Sequence, residues 1–332
     1  MALESKNVLV TGGAGYIASH VAFSLLERGY RPVLLDNLSR GHRDVVDRAL
    51  GLPVIVADTR DRAALDAVFA AESFVAVMHF AAFMEVGESV ADPLKFYENN
   101  VHGTVTLLQA MKAAGVSRFV FSSTAATYGM PERVPIPEEH PQVPLNPYGR
   151  TKLVVEHILA ESERAFGLQS VILRYFNAAG AHPNGLLGED HQPETHLVPL
   201  VLDAAMGRRP SIRIFGDDYD TPDGTCLRDY IHVCDLADAH VLGLEYLCNG
   251  GKSDVFNLGN GRGFSVREVI AAAARVTGKS IPVEMAGRRE GDSPALVGSG
   301  EKAKRILGWS PRYAALDTIV EHAWNWHKKR HV

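Results

Sequence analysis

Short apolar runs alternate with helical segments along the first half of the 332-residue chain, and this alternation constrains the fold more than any other feature. The runs are VLV (8–10), PVLLD (32–36), PVIVAD (53–58), VAVMHFAA (75–82), RFVFSS (118–123) and SVILRYF (170–176). The helical segments between them fall near residues 16–28, 61–72, 93–114 and 148–166. Strands that are apolar at nearly every position are buried on both faces, as in a parallel sheet covered by helices. The sequence therefore predicts an α/β fold with a doubly wound parallel sheet.

The second half of the chain has a different composition, because Pro, Gly, Asp and His become more frequent from about residue 179. Its short strand patterns are SIRIFG, DVFNLG and IPVEMA, and its helical segments fall near 198–207, 235–247, 265–277 and 314–329. We predict a first domain over residues 1–178 and a smaller α/β lobe over residues 179–332, with one cleft between them. Segments near 231–260 are expected to return to the large sheet.

Charge and composition argue against several classes of protein. A formal net charge of -5 argues against nucleic-acid binding, which needs a basic patch. No stretch approaches the ~18 apolar residues of a membrane helix. The start MALESKN lacks the basic and apolar runs of a signal peptide. The cysteines, Cys226, Cys234 and Cys248, are far apart, as in a reduced cytoplasmic protein without a disulfide framework.

The histidines give no strong indication of a metal site. No His/Cys cluster has the spacing of zinc ligands. His191 and His196 lie close together, but the stretch around them is polar and loop-like. We therefore expect no bound metal.

The glycine-rich stretch TGGAGYIAS (11–19) follows the first strand and opens the first helix. Gly12 permits a tight turn, and Gly15 lets a pyrophosphate approach the free N–H groups at the helix N-terminus. An ordinary strand-to-helix turn could carry the same glycines. However, Asp36 stands roughly 20 residues further on, where a carboxylate binds the adenosine ribose and repels a 2′-phosphate. Asp58, at the end of the third predicted strand, could meet the adenine. Both acids could be loop caps, but together these features predict a Rossmann domain that binds NAD.

A tyrosine and a lysine lie four residues apart in NPYGRTK (146–152), at the start of a predicted helix. Asn146 is a good N-cap, and residues i and i+4 share a helix face, so Tyr148 and Lys152 would be neighbours. A free phenol titrates near pH 10. One unit charge ~5 Å away, at an effective dielectric of ~20, lowers that pKa by roughly 2.4 units. Lys152 alone would nearly suffice, and the charge of an oxidised nicotinamide would bring Tyr148 close to neutral.

The stretch SSTAATYG (122–129) closes the strand before this helix and would bring the hydroxyl of Thr124 to the same substrate oxygen. A phenol, a cation and a hydroxyl beside a nicotinamide would make a proton-transfer site for an alcohol that loses hydride. The structural alternative is a surface tyrosine and a solvated lysine, which are common on helices.

Over essentially its whole length the chain resembles the extended short-chain dehydrogenase/reductases, and within them the UDP-glucose 4-epimerase (UDP-galactose 4-epimerase) family. TGxxGxxG and YxxxK are shared with many relatives, whereas DGT-x-x-RDYIHV followed by RREGD is more specific. The resemblance implies that hydride passes from the sugar C4 to tightly held NAD, that the 4-keto sugar turns over, and that hydride returns to its other face. It also implies a homodimer formed through the helices near 93–114 and 148–166.

The resemblance also implies roles for single residues. Tyr148 would be the base for the sugar 4-hydroxyl, Lys152 its electrostatic partner and Thr124 its hydroxyl partner. The implied cofactor contacts are Gly12, Gly15, Tyr16, Ile17, Asp36, Asn37, Asp58, Thr59, Phe80, Ala81, Ala82, Asn99, Ser122, Tyr148, Lys152 and Tyr175. The implied substrate contacts are Thr124, Tyr148, Asn177, His196, Leu197, Phe215, Arg228, Tyr230, Arg289, Asp292 and Leu296.

Several of these residues also have a structural interpretation. Arg228 and Arg289 would clamp the UDP diphosphate, since a guanidinium binds phosphate in bidentate fashion. Either could instead pair with Asp229 or Asp292. Other structural alternatives are a satisfied loop amide for Asn177, a helix cap for Asn99, and core packing for Phe215 and Tyr230.

Three positions depart from some family members. Met84 stands where some carry Lys, so a charged contact to the cofactor would be absent. His196, in THLVP, stands where some have an Asn–Leu pair, and would approach the nucleotide through its side chain or backbone. Leu296 stands at a position linked to the N-acetyl pocket, where a bulky Tyr favours UDP-glucose and smaller residues admit N-acetylated sugars. We expect weak or absent turnover of UDP-GlcNAc.

Other functions stay open from the sequence. The nearest is 4-epimerisation of another UDP-sugar, such as UDP-GlcNAc or UDP-GalNAc, UDP-glucuronate or a UDP-pentose. A dehydrogenase with net hydride transfer would release its cofactor in each cycle, and an NAD-binding sensor would not need Tyr148 and Lys152 beside Thr124. Sugar-nucleotide dehydratases place an Asp–Glu pair after the hydroxyl residue. Ala125 and Ala126 stand there in this chain and cannot transfer protons.

Overall fold

The computed structural model describes residues 6–289 and 291–330. The predicted outer limits of the two domains, residues 1 and 332, and Glu290 of the RREGD stretch lie outside these ranges. The strands are β1 (Asn7–Thr11), β2 (Arg31–Asp36), β3 (Val54–Val56), β4 (Ala76–His79), β5 (Arg118–Thr124), β6 (Gln169–Tyr175), β7 (Asn177–Ala179), β8 (Ile212–Phe215), β9 (Leu227–Arg228), β10 (Tyr230–His232), β11 (Asp254–Leu258), β12 (Phe264–Ser265), β13 (Val283–Ala286) and β14 (Ala295–Leu296).

The helices are α1 (Tyr16–Glu27), α2 (Arg43–Leu50), α3 (Arg62–Ala71), α4 (Val86–Ala91), α5 (Pro93–Phe96), α6 (Gly103–Ala114), α7 (Pro147–Phe166), α8 (Leu197–Ala205), α9 (Val233–Cys248), α10 (Val266–Thr277), α11 (Glu301–Leu307) and α12 (Leu316–Arg330). Within the described ranges, no helix is long and apolar enough to cross a membrane.

The large sheet has seven parallel strands in the order β11–β6–β5–β4–β1–β2–β3. The predicted doubly wound α/β fold is confirmed. The order reverses at β1, so the carboxyl ends of β1 and β4 flank the point where ligands bind in such sheets. Strand β11 comes from the second half of the chain and pairs with β6, with Leu258 opposite Tyr175.

Successive residues of the central strands enter two separate cores. Val8 and Val10 pack on the side of α1 and α9, whereas Leu9 packs on the side of α3, α6 and α7. All three side chains are fully buried. Each such side chain contributes about 1.5–3 kcal/mol of transfer free energy. Burial on both faces explains why the strands are apolar at nearly every position.

The second lobe is built from short strands and three packed helices. Strands β8 and β13 pair in parallel, β9 lies between β12 and β14, and β7 pairs with β10. Helices α8, α10 and α12 pack on one another around a third apolar core. Arg228 of β9 and the loop before β14 line the cleft at the carboxyl edge of the large sheet.

Several element boundaries differ from those predicted. Strand β3 ends at Val56, so Asp58 lies two residues beyond it. The helix predicted over 93–114 contains a wide turn with i→i+5 hydrogen bonds at Tyr97–His102, between α5 and α6. Turns of this kind are frequent at functional sites. Helices α2, α4 and α11 were not predicted.

Candidate active site

A cleft of about 1690 Å³ opens at the carboxyl ends of the sheet strands, between the sheet and the second lobe. Most of the predicted site residues line it. They are Gly12, Gly15, Tyr16, Ile17, Asp36, Asn37, Thr59, Phe80, Ala81, Ala82, Asn99, Ser122, Thr124, Tyr148, Lys152, Tyr175, Asn177, His196, Arg228, Arg289, Asp292 and Leu296. Residues from both halves of the chain thus meet around one space.

The glycine-rich loop between β1 and α1 forms one end of the cleft. Gly12 has a φ of +71°, which glycine adopts without strain, and a Cβ there would lie 2.7 Å from the backbone nitrogen of Ala81. Gly15 is the N-cap of α1, and Tyr16 and Ile17 begin the helix at the cleft wall. The N–H groups of a first helical turn lack intrahelical acceptors and favour an anion.

Asp36 ends β2 beside this loop and is only 7% exposed. Its carboxylate oxygens accept hydrogen bonds from the N–H groups of Ala14 (3.0 Å) and Leu38 (2.7 Å). Burial raises the pKa of Asp36, although these hydrogen bonds act in the opposite direction. Each oxygen has a further lone pair, so the carboxylate can still accept a hydrogen bond from a ribose hydroxyl.

Asp58 lies outside the cleft lining, behind Asn37. Its carboxylate binds the guanidinium of Arg60 at 2.8 Å and accepts a hydrogen bond from Nδ2 of Asn37 at 2.8 Å. The hydrogen bonds to Arg60 hold the pKa of Asp58 well below its usual range. Asp58 therefore orients Asn37, which lines the cleft together with Thr59.

Tyr148 and Lys152 lie on the first two turns of α7, which begins next to the end of β5. Gly149 permits this close approach, since a Cβ there would lie 2.5 Å from the carbonyl oxygen of Ala126. The Nζ of Lys152 donates a hydrogen bond to the carbonyl oxygen of Ser122 at 2.8 Å, and the side chain is buried. The ammonium is thus held against β5, and the phenol lies at the cleft wall.

The surroundings shift the pKa values of both Tyr148 and Lys152. Burial raises the pKa of Tyr148 to about 12, while a side-chain hydrogen bond with Thr124 acts in the opposite direction. Burial lowers the pKa of Lys152 to about 7, while the charge of Glu156 opposes that shift. In the chain by itself, burial of the phenol thus acts against the lowering of the Tyr148 pKa that we expected from Lys152. The further effect of a nicotinamide charge stays a prediction.

A second hydroxyl pair lies beside Lys152. The hydroxyls of Ser122 and Tyr175 are hydrogen-bonded to each other, and both residues line the cleft. Burial raises the pKa of Tyr175 above its ordinary value, so this phenol is neutral and can donate a hydrogen bond. Tyr148 is therefore flanked by hydroxyls from the ends of both β5 and β6.

Two arginines reach the cleft from the second lobe. Arg228 forms an ion pair with Asp292 at 3.3 Å and donates hydrogen bonds to the carbonyl oxygens of Leu227 and Ser293, at 2.9 Å each. The guanidinium of Arg289 stacks on Phe215, 3.7 Å from the ring centroid. Phe215 does not line the cleft itself, but it supports a residue that does.

Two other predicted contacts belong to the second-lobe core. Tyr230 is 5% exposed and packs in that core, and Leu197 begins α8 and packs against it. Neither lines the cleft. Asn177 does line it, but its side-chain amide already donates to the carbonyl oxygen of Asp229 at 3.1 Å. The side-chain oxygen of Asn177 is a further hydrogen-bond acceptor in this residue.

The wide turn at Tyr97–His102 contributes two asparagines to this region. Asn99 lines the cleft and donates to Oδ1 of Asn100 at 3.0 Å. Asn100 accepts the N–H of Phe83 at 2.8 Å and donates to the carbonyl oxygen of Phe83 and to Oγ1 of Thr151. Asn100, which was not predicted, thus fastens the loop after β4 to α7.

The segment 189–196 forms a wall of the cleft, and His196 is the one residue in it that the sequence predicted as a contact. Arg40 donates to the carbonyl oxygen of Gln192 at 2.7 Å, and His42 lies 2.8 Å from that of Asp190. These contacts join the cofactor side of the cleft to the second lobe. The signal that could have drawn attention to the segment is its repeated Glu-x-His pattern, in EDH (189–191) and ETH (194–196).

The side chains fit a bound dinucleotide and an alcohol substrate. The glycine loop and Asp36 form a cradle whose backbone would have to shift to accommodate a side chain at Gly12. Tyr148 and Thr124 present two hydroxyls to one point, with a cationic group nearby. Such a site can move a proton to or from an alcohol oxygen.

Comparison with known proteins gives consistent matches. The model of the NAD dependent epimerase/dehydratase family matches residues 8–259. A UDP-glucose 4-epimerase of Rhizobium leguminosarum bv. trifolii is 56% identical over 327 residues, 98% of this chain and 99% of that protein. A UDP-glucose 4-epimerase from Brucella ovis, crystallised in complex with NAD, is 51% identical with a TM-score of 0.93, covering 96% of this chain and 97% of that one. A UDP-glucose 4-epimerase from Bifidobacterium longum, whose structure is in complex with NAD+ and UDP, is 42% identical with a TM-score of 0.91. The match covers 97% of this chain and 98% of that one.

Proposed function

Since the chain belongs to the NAD dependent epimerase/dehydratase family, we propose that it interconverts UDP-glucose and UDP-galactose by epimerisation at C4 of the sugar. The observation that carries the proposal is the placement of Tyr148, hydrogen-bonded with Thr124, beside the buried Lys152 at the carboxyl edge of a dinucleotide-binding sheet. Relatives of 48–56% identity that match nearly the whole chain bear the name of this activity.

Tyr148 acts as the base that accepts the proton of the sugar 4-hydroxyl and gives it back at the end of the cycle. Thr124 hydrogen-bonds the same oxygen and holds it in place. Lys152 lies in the adjacent turn of α7, and its charged form stabilises the phenolate. Because Ser122 fixes the ammonium through its carbonyl oxygen, Lys152 is positioned before any substrate arrives.

The chain would hold NAD through the glycine loop and the first turn of α1, with Asp36 at the adenosine ribose. When bound, NAD supplies the oxidant that takes hydride from C4 and later returns it. An epimerase needs no external reductant, because the hydride that leaves the sugar comes back to it. Thr59, Phe80 and Asn99 complete the proposed cofactor wall.

Epimerisation is favoured over dehydration by the residues after Thr124. Ala125 and Ala126 form the short turn there. Neither carries a group that could remove a proton from C5 or donate one to a leaving hydroxyl. A dehydratase needs both steps. The 4-keto sugar formed in this cleft therefore keeps its 6-hydroxyl.

The range of sugars depends on the far end of the cleft. Leu296 lies in the lining and packs near Ala125, Tyr128 and Ile136. A leucine side chain is smaller than a tyrosine and larger than a cysteine or glycine. UDP-glucose and UDP-galactose are the proposed substrates, and UDP-GlcNAc turnover is expected to be weak or absent. Arg228, Arg289 and Asn177 are the proposed contacts for the diphosphate.

The direct test is to incubate the purified protein with UDP-galactose, without added cofactor, and to follow UDP-glucose by chromatography. The wild type is expected to convert it, and Tyr148→Phe to convert it about 10²–10⁴-fold more slowly. Tyr246→Phe, which alters a tyrosine packed edge-on against Phe256 away from the cleft, should behave as the wild type. If the wild type does not convert UDP-galactose even with added NAD, the proposal is refuted. Conversion of UDP-GlcNAc or UDP-glucuronate alone would support the alternative of another UDP-sugar.

We also propose that the active form is a cytoplasmic homodimer. Among the described residues the three cysteines, two of them buried and one half-buried, form no disulfide, which suits a reducing compartment. Val86, Val90 and Leu94 are exposed on α4 and α5, and Leu94 is 78% exposed. A second copy of the chain would cover such a patch. Light scattering of the wild type and of Leu94→Glu tests this, with the variant expected to be monomeric.

A further inference from the structure

The wall segment 189–196 brings four potential metal ligands together. The ligand atoms of Glu189, His191, Glu194 and His196 all lie within 4.8 Å of one another. The set combines two imidazoles with two carboxylates, which is a donor set that Zn²⁺ accepts in proteins. The spacing of the histidines alone did not predict a metal site, because the two glutamates supply half of the ligands.

The interatomic distances are close to those of a tetrahedral centre. Bonds of about 2.1 Å from a zinc ion to four ligands place neighbouring ligand atoms about 3.4 Å apart. In the structure, Nδ1 of His191 lies 3.3 Å from Oε1 of Glu189 and 3.6 Å from Oε2 of Glu194. Nδ1 of His196 lies 3.8 Å from Oε1 of Glu194 and is hydrogen-bonded to Glu189. To admit an ion, Nδ1 of His196 and the carboxylate of Glu189 would exchange their direct hydrogen bond for two bonds to the metal.

One ligand atom is not well satisfied within the protein. Nδ1 of His191 is buried, yet it makes no hydrogen bond of good geometry in the described part of the chain. The ring packs edge-on against those of Tyr16 and His196, which fixes its plane. A buried nitrogen aimed between two carboxylates is arranged to bind a cation.

The two carboxylate oxygens of Glu194 have different partners. Oε1 accepts hydrogen bonds from the N–H groups of Thr195 and His196, at 2.8 Å each. Oε2 faces His191 and is available to a metal. Glu189 is 5% exposed, and in the metal-free chain His191 and His196 are the ion-pair partners of its buried carboxylate. Two carboxylates and two neutral imidazoles would together balance the charge of one divalent ion.

We propose that Glu189, His191, Glu194 and His196 form a structural binding site for one Zn²⁺ ion. Four protein ligands close the coordination sphere, as in structural rather than catalytic zinc sites. The ion would cross-link the segment that Arg40 and His42 hold from the cofactor side. Nε1 of Trp326 also donates to the carbonyl oxygen of Glu189 at 3.0 Å, so the ion would join the cleft wall to the C-terminal helix.

Direct metal binding by tag-free protein tests the proposal. The protein is treated with a chelator, dialysed and titrated with ZnCl₂ by calorimetry, and its melting temperature is recorded with and without zinc. One equivalent should bind with a sub-micromolar dissociation constant, and the melting temperature should rise by several degrees. A tenfold excess of Mg²⁺ should not compete, because this ion prefers oxygen ligands and water.

Two variants and a control locate the site. Glu194→Gln keeps the acceptor oxygen for Thr195 and His196 but replaces the metal-facing oxygen with an NH₂ group, so the segment should fold while zinc affinity falls about 100-fold. His191→Ala should have the same effect. His157→Ala removes an exposed histidine on α7 and should bind zinc as the wild type does. Absence of binding by the wild type would overturn the proposal, as would equal zinc affinity in all four proteins. Epimerase activity is not a readout here, so failure of the proposed reaction would leave this result unaffected.

Discussion

Glu156 lies one helical turn beyond Lys152 on α7 and forms a buried ion pair with Arg174 of β6. The guanidinium binds the two carboxylate oxygens of Glu156 at 2.6 and 3.0 Å, and both side chains are 5% exposed. Ser123 donates a hydrogen bond to the same carboxylate at 2.5 Å. This relationship ties α7, β5 and β6 together directly behind the catalytic residues. Tyr148, Lys152 and Glu156 thus follow one another at intervals of four along one side of the helix.

Breaking this pair should be strongly destabilising. Glu156→Gln or Arg174→Met is expected to lower the free energy of unfolding by about 3–5 kcal/mol, because the remaining charge stays buried without its partner. The double variant should lose less stability than the sum of the losses in the two single variants. Urea denaturation measures the free energy of unfolding of all three proteins. Glu245→Gln, in the exposed pair with Arg28, is the matched control and should change stability by under ~1 kcal/mol. Single variants no worse than this control would contradict the prediction.

Lys152→Met should abolish most activity yet stabilise the cofactor-free protein at neutral pH. Burial lowers the pKa of Lys152 to about 7, whereas an unfolded lysine titrates near 10.4. Between these values the unfolded chain binds more protons, so the stability of the wild type rises with pH by roughly 1.4 kcal/mol per unit. The variant should lack this slope and be more stable at pH 7.

Thermal melts of the cofactor-free proteins from pH 7 to pH 10 measure that slope. Lys112→Met, which changes an exposed lysine on α6, should retain it. An unaltered slope in Lys152→Met would show that the lysine is charged in the folded protein throughout this range. Epimerisation by Lys152→Met should fall about 10²-fold or more, since Tyr148 loses its electrostatic partner.

His79 should make the protein sensitive to mild acid. The imidazole is buried between the hydroxyls of Thr11 (2.6 Å) and Thr104 (2.9 Å). Because Thr104 donates its own proton to the carbonyl oxygen of Asn100, Nε2 of His79 donates and Nδ1 accepts. Burial lowers the pKa of His79 to about 3. The unfolded chain therefore binds the extra proton first, and stability is lost as the pH falls below about 6.5.

The measurement is the difference in unfolding free energy between pH 6.5 and pH 5. His79 should account for about 2 kcal/mol of it, so the difference should be smaller by that amount in His79→Gln. Comparing two pH values within one variant removes any general loss of stability. His157→Gln on the surface should leave the difference unchanged. The same reduction in both variants would argue against a special role for His79.

Gly12→Ala should lose bound NAD. The substitution combines an unfavourable positive φ with a clash, because the new Cβ would meet the backbone of Ala81 at 2.7 Å. Gly51→Ala is the matched control, with a φ of +64° and nothing within 4 Å of the added Cβ. In each variant the free energy of unfolding should fall by about 1–2 kcal/mol, because alanine is strained at a positive φ. Only Gly12→Ala should also lose the cofactor absorbance of the purified protein. Equal cofactor content in the two variants would contradict the role of the glycine loop.

The cofactor side of the cleft could be predicted from the sequence because parallel strands end at a common edge. Gly12, Asp36 and Thr124 each follow or end an apolar strand, so their meeting follows from the fold class. Asp58 shows the limit of this reasoning. The pattern PVIVAD continues to the aspartate, but the strand ends at Val56, and the carboxylate turns away to bind Arg60.

The substrate side depended on tertiary packing that no local pattern reveals. Phe215 and Tyr230 are both aromatic residues in short strands, yet one supports Arg289 and the other packs in the core. In the cofactor-free chain the pKa of Tyr148 differs from the expected direction for a similar reason. The spacing of Tyr148 and Lys152 gave the correct neighbourhood, but the extent of desolvation depends on every element that covers the phenol.

The return of β11 to the large sheet also governs when this protein can form during its synthesis. Once the ribosome has made the first 178 residues, β6 has an open edge, and the face that carries Val8 and Val10 lacks α9. An open edge invites pairing with another chain. The nucleotide-binding half must therefore wait for residue 258 to emerge before its sheet is complete. Nascent chains are most exposed to aggregation, and most dependent on chaperones, during this interval.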